Sequence, residues 1–336
     1  MNKKNIFNII FSIIFLSTLY FVSWLIWVLN SILLFIFYVF IAFFIYIIWK
    51  NIINKEYLSF DKFINYFLFK VLMWMYISIF LITWLSYYSN KISPAPMPTY
   101  TISNWEKTVI FQAMSHIWSN DFYNSIKTNL INAKKNWYIY FYEWVKNWTD
   151  ENRKKFNKAI WIKFDKNLYK NFSKLYWVTQ QDNSIYYNLV NNKDYNIDLS
   201  IDEIIEYYEE LETTNQSSIL KSEKVVDINW EVIKTLSQFN KKEMKILRYL
   251  NKAMLNLILW SETIQTTLTN NFTNKNLFKI ILNKRNDVLS NEIINSKHNK
   301  IFITYWLLHF KWVFKLLQKN DKNWKIIKTE YLYPIQ

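Results

Sequence analysis

The sequence predicts an α/β soluble domain, a mixed or parallel sheet flanked by helices with a helical cap. It follows an N-terminal α-helical transmembrane segment of about three spans. Three observations predict this. Residues 5–49 carry no charged side chain. Two short apolar runs rich in branched and aromatic residues, Thr108–Gln112 and Ile301–Tyr305, have the composition of buried strands. Each is followed within a few residues by a histidine, His116 or His309, where strand-to-helix loops of α/β folds present functional groups.

The uncharged stretch comes first. As one helix it would be about 68 Å long, more than twice a hydrocarbon core of about 30 Å. It therefore reads as two spans, roughly 6–29 and 32–49, turning at Asn30-Ser31. An apolar region of this length also argues against a cleaved signal peptide. A third span is expected over about 63–88, interrupted only by Lys70. Lys3 and Lys4 precede the first span, and Lys50, Lys55 and Lys62 lie between the second and third. The positive-inside rule then places the N-terminus in the cytoplasm and everything after the third span outside. Residues 93–99, with Pro94, Pro96 and Pro98, read as a stiff linker between the membrane segment (1–92) and the α/β domain (100–336).

Within the domain, Asn120–Lys135 carries Ile126, Leu130 and Ile131 on one helical face, with Ser119 or Asn120 as N-cap. Tyr138–Tyr142 reads as the next strand and ends at Glu143. The resulting β-α-β unit is expected to be parallel and right-handed. It brings His116 and Glu143 to one edge of the sheet. Residues 150–280 read as a helical insertion, a candidate cap, whose apolar stripes in 201–211 and 230–260 are core packing. A helix over 277–295 carries Lys284-Arg285-Asn286. Strand 301–305, a short helix at 313–318 and a last strand within 325–333 complete the chain.

The chain has no cysteine, which excludes disulfides, zinc knuckles and thiol nucleophiles. The net charge of +15 comes from lysines spread along the chain with no compact Arg-rich patch, so no nucleic-acid partner is expected. No HExxH, Walker A or G-x-S-x-G pattern is present. The candidate chemistry rests on His116, Glu143 and His309, a strand-end carboxylate and two imidazoles able to act as acid, base or ligand. Arg285 is a candidate for holding a substrate carboxylate or a developing oxyanion. His298, in a polar loop, reads as inert.

Composition carries one anomaly. The 336 residues include 17 tryptophans and no glycine, where average usage would give about 24 glycines. The tryptophans stand at glycine-like places, including the pairs Asn104-Trp105, Asn136-Trp137, Asn147-Trp148 and Asn323-Trp324, where Asn-Gly makes ordinary turns. A gene that uses UGA for glycine, translated with UGA as tryptophan, gives this pattern. UGG codons at all 17 positions would end the idea.

Read with glycine at those sites, the motifs resemble the TraB/GumN/TIKI family. Trp306-Leu-Leu-His309 is similar to its C-terminal Gly-x-x-His, and Phe310-Lys-Trp312-Val to the continuation of that motif. Ala113-Met-Ser-His116 stands in place of the first Gly-x-x-His, with alanine for glycine. Glu143 matches the glutamate at the end of the following strand. Arg285-Asn286 matches the Arg-Asn helix, and Leu175–Gln181 resembles a Leu-Gly-x-x-x-Gln segment. The resemblance covers about 105–333. It implies a membrane-anchored hydrolase, foremost a metal-dependent peptidase whose divalent ion would be held by His116, Glu143 and His309. Arg285 and Asn286 would bind substrate. It also allows a metal-independent His/Glu hydrolase, or a non-catalytic membrane regulator that captures a peptide signal. The implied partners are the membrane and a peptide or protein substrate.

Overall fold

The computed structural model describes residues 60–335, apart from 116, 145, 147, 161–162, 164–166, 177, 183–185, 215–224, 226, 262 and 266–274. The first two expected spans, 6–29 and 32–49, lie outside the described residues, as does His116. The chain divides into two units, Met1–Leu85 and Ser86–Gln336.

The described residues begin with helix α1 (Phe60–Tyr87), followed by a π-helical turn, Tyr88–Ile92. Leu72–Ile92 is long and apolar enough to cross a membrane, by length and composition, with a mean hydropathy of 1.3. Trp74, Phe80 and Trp84 along it are exposed.

The second unit is built on a six-stranded mixed sheet. In chain order its elements are β1 (Met97–Ser103), β2 (Thr108–Met114), β3 (Ile117–Trp118), α2 (Asn120–Lys135), β4 (Ile139–Tyr142), α3 (Asp150–Ala159), α4 (Leu168–Tyr176), β5 (Thr179–Gln180) and β6 (Tyr195–Asn196). Then follow α5 (Ile201–Thr214), α6 (Ile228–Gln238), α7 (Lys241–Trp260), α8 (Lys275–Asn295), β7 (Lys300–Trp306), α9 (Leu307–Asn320) and β8 (Lys325–Leu332). The strand order is β6-β4-β7-β2-β1-β8, and β3 pairs with β5 in a separate small ribbon. Strands β6, β4, β7 and β2 are parallel, whereas β1 runs antiparallel to both β2 and β8.

Strand β7 is the centre of the sheet because its sequence tolerates burial on both faces. Ile301, Ile303 and Tyr305 pack with Leu289 and Ile293 of α8 and with Phe310, Val313 and Leu317 of α9. Phe302 points the other way, into a cluster with Phe122, Ile126 and Leu130 of α2. A strand covered on both sides reads as a continuous apolar run, which is what parallel strands in α/β sheets require.

Helix α2 starts where its cap dictates. The Ser119 hydroxyl accepts the Phe122 N–H, satisfying one of the donors that every helix start leaves open. It ends in a Schellman arrangement. Trp137 N–H donates to the Lys134 carbonyl and Tyr138 N–H to the Ala133 carbonyl. That motif needs a left-handed residue at Trp137, whose φ is 66°. Trp105, in the loop between β1 and β2, has φ 79°. Among the described residues these are the two with positive φ. Both are tryptophans that follow an asparagine, and both are more than 80% exposed (83% for Trp105, 84% for Trp137). A left-handed conformation costs a residue with a Cβ about 1–2 kcal/mol, and glycine almost nothing. Both positions are shaped for glycine.

Two features differ from the sequence reading. The supposed linker ends inside the sheet. Met97, Pro98 and Thr99 already belong to β1, and Met97 and Thr99 are buried. Proline is accommodated there because Pro98 is paired with β8 alone; the ladder to β2 begins at Thr99. The stretch read as a helical insertion also contains β6, an edge strand two residues long, too short to show periodicity. The apolar stripe over 230–260 is carried by two helices, α6 and α7. The second begins at a capping box in which Asn240 and Glu243 each accept a backbone N–H of the other.

Candidate functional site

Four parallel strands present their carboxyl ends at one edge, and a cleft of about 420 Å³ opens there. Its floor is made by the ends of β2, β4 and β7: Met114, Tyr142 with Glu143, and Thr304 with Trp306. Ser115, Gln181, Tyr186 and Tyr187 complete much of the wall. Ligands of open α/β sheets collect at this edge because the loops diverge there and leave space between them.

Glu143 follows the last residue of β4, and both its oxygens are engaged. Oε1 accepts from Arg285 Nη2, and Oε2 accepts the Trp306 backbone N–H at 2.9 Å. Arg285 comes from the middle of α8 and is 9% exposed. Its Nε donates to Asp198 Oδ1 at 2.7 Å, and its guanidinium lies 5.2 Å from the Tyr305 ring centre. Arg285 therefore bridges two carboxylates from distant parts of the chain. Asp198 is itself buried and also accepts the Leu199 N–H at 2.8 Å. Counting both acids ionised and Arg285 cationic, the cluster carries one net negative charge.

Burial decides the protonation of this group. It raises the Asp198 carboxyl to about 6, with the charge of Arg285 opposing and that of Glu143 adding to the rise. Burial works to lower Arg285, but Glu143, Tyr305 and Asp198 hold it above its ordinary value. His309 is pushed down to about 3 by burial and by the Arg285 charge, against a smaller opposing effect of Glu143. The imidazole is neutral at ordinary pH.

His309 lies in the first turn of α9, not in a loop, and is wholly buried. Its Nδ1 is 2.7 Å from Asn286 Oδ1. With the amide oxygen as acceptor, that bond fixes the Nδ1–H tautomer and leaves Nε2 as an acceptor without a hydrogen-bond partner among the described residues. The Tyr305 and Trp306 rings meet the imidazole edge to face, at 4.8 and 5.9 Å between centroids.

The structure thus brings Glu143 to the wall of the cleft and stacks Arg285, Asn286 and His309 behind it. None of those three lines the cleft. Arg285 and Asn286, expected to hold substrate, are instead buried with their polar groups turned to protein partners. Met114 and Ser115, the residues just before His116, line the cleft. Sequence reasoning missed Asp198. Its only signal was an acid two residues past a strand too short to recognise.

The donor set bears on the expected metal. Among the described residues no three His, Asp or Glu side chains converge so as to hold an ion. Glu143 and Asp198 both face Arg285, and His309 is closed off behind Trp306 and Tyr305. A divalent ion at Glu143 or Asp198 would have to compete with a buried guanidinium for the same carboxylates, and His116, the third expected ligand, lies outside the described residues. The chain matches no family model, no curated protein and no solved structure.

Proposed function

We propose that the chain is a membrane-anchored hydrolase of the TraB/GumN/TIKI type, acting on peptides from the cleft at the carboxyl edge of its sheet. One observation carries the reading. Glu143 stands on the wall of a cavity of ligand size and is held in place from behind by Arg285 and from β7 by the Trp306 N–H. A fixed carboxylate in such a place can take a proton from a water molecule attacking a peptide carbonyl. Arg285 orients it, and Asp198 orients Arg285. Neutral His309 fixes Asn286 and the packing at the start of α9, a positioning role rather than contact with substrate. His116 follows the cleft-lining Ser115, and the resemblance assigns it the second acid–base role. The apolar helix at 72–92 supports the membrane anchor. The lysines flanking the expected spans support a domain on the outer side.

The test is peptide hydrolysis by the full-length chain in detergent. Glu143→Gln and His116→Ala each reduce the rate by about 10²–10⁴ without lowering the melting temperature by more than a few degrees. Retained hydrolysis in either variant sinks the proposal. The second reading, a regulator that captures a peptide without cutting it, is favoured by the absence of His309 from the cleft wall. It would be upheld by wild-type protein that binds peptide and never turns it over.

A further inference from the structure

We infer that the paired hydroxyls of Tyr140 and Thr304 are a hydrogen-bond donor of the cleft, and that they receive a carbonyl oxygen of the bound peptide. The inference rests on the hydrolase reading and gives the Glu143 base its electrophilic counterpart.

Hydrogen counting supports it first. Tyr140 Oη and Thr304 Oγ1 are 2.6 Å apart, and either can be the donor. Two hydroxyls carry two hydrogens, and their mutual bond uses one. Among the described residues neither oxygen has another partner. One O–H is therefore left over. A phenol is the stronger donor, so it gives its hydrogen to Thr304, and the threonine O–H is the spare one. Accepting from a phenol polarises that hydroxyl and makes it a better donor in turn. Burial holds the Tyr140 phenol above its ordinary pKa, so it keeps its proton.

Position agrees. Both residues line the cleft, yet Tyr140 is 2% and Thr304 4% exposed. The donor is thus set before a ligand arrives and is sheltered from water, the condition under which a hydrogen bond to developing charge counts most. The other described hydroxyls of the wall differ. Tyr186 donates to the Tyr123 carbonyl at 3.2 Å, and Ser115, Tyr142 and Tyr187 are half-buried or exposed. Thr304 pairs with Tyr142, the residue before Glu143, across strands about 4.8 Å apart. It also stands two residues before Trp306, whose N–H holds Glu143. When water attacks the carbonyl carbon, its proton passes to Glu143 and the carbonyl π electrons move onto the oxygen that Thr304 holds.

The experiment measures turnover of fluorescein-labelled casein and melting temperature for the full-length chain in detergent. Thr304→Val is expected to lower kcat about 10²-fold with KM nearly unchanged, and Thr304→Ser to recover most of that loss. Valine also strands the buried Tyr140 hydroxyl, so the melting temperature falls. The double variant Tyr140→Phe/Thr304→Val removes both hydroxyls and restores the melting temperature, but not the turnover. Turnover that recovers together with stability makes the pair a packing feature and overturns the inference, as does a Thr304→Val chain that cleaves at the wild-type rate. If the wild-type chain cleaves nothing, isothermal titration with N-acetyl-trialanine amide separates the two readings. Binding that the double variant weakens by at least about tenfold overturns the hydrolase reading alone and leaves the carbonyl site standing. Binding that the double variant leaves unchanged, or no binding by the wild-type chain, overturns both.

Discussion

The backbone N–H of Trp306 donates to Glu143 Oε2 at 2.9 Å, joining the last residue of β7 to the carboxylate that follows β4. The two residues are 163 apart in sequence. The bond sets where the glutamate faces, because a carboxylate held at one oxygen by a guanidinium and at the other by a backbone amide has little freedom to rotate.

Arg285 is expected to matter more for stability than its single charge suggests. Arg285→Met leaves Glu143 and Asp198 facing each other without a cation, at a cost of about 3–5 kcal/mol. Arg285→Lys also fails, since one ammonium cannot reproduce the Nε and Nη2 bonds of the planar fork. Urea unfolding measures both. A loss below about 1 kcal/mol for the methionine variant would show that the bridge contributes no more than a surface ion pair.

His309 makes the fold acid-sensitive. Its folded pKa is below its unfolded value, so the native state resists protonation. Stability is full above about 6.5 and is lost as pH falls toward about 3, by roughly 5 kcal/mol at the lower end. Asp198 acts in the opposite sense between about 6 and 3.8, because its folded pKa is raised. Below about pH 4 the Asp198 effect has saturated, and the His309 slope dominates. Unfolding free energies of wild type and His309→Asn, measured from pH 7 to 3.5, are expected to show a flatter profile for the variant. Parallel profiles would assign the acid sensitivity to other groups.

Asp198→Asn tests whether the second carboxylate positions the first. The variant keeps an acceptor for Arg285 and removes the charge. Hydrolysis is expected to fall about tenfold in kcat with KM nearly unchanged, as for a group that acts through another on the reacting atoms. Recovery with glutamate at 198 would support placement over mere packing. An unchanged kcat would remove Asp198 from the site.

Trp105→Gly and Trp137→Gly are each expected to stabilise the chain by about 1 kcal/mol, since both positions have positive φ and expose the indole. Melting temperatures of the single variants check this. A lower melting temperature for both would favour tryptophan as the residue the fold was selected for.

Much of the architecture was legible because it is local. The apolar runs of β2 and β7, the Ser119 cap and the amphipathic face of α2 are patterns within ten or twenty residues. Strand β1 was obscured by Pro98, which reads as a spacer until its partners β2 and β8 are in place. Glu143 was legible as a carboxylate at a strand end. The roles of Arg285 and Asp198 were not, because an arginine on a helix looks like a surface residue. Its two partners lie 142 and 87 residues away. Nothing local distinguishes a buried bridge from a solvated charge.

The strand in the middle of the sheet is made of residues 300–306, near the end of the polypeptide. While the chain is being synthesised, β2 and β4 exist for more than 150 residues without the element that pairs with both. During that interval their open edges are available to other chains, so a ribosome that stalls before residue 300 would release a product prone to aggregation.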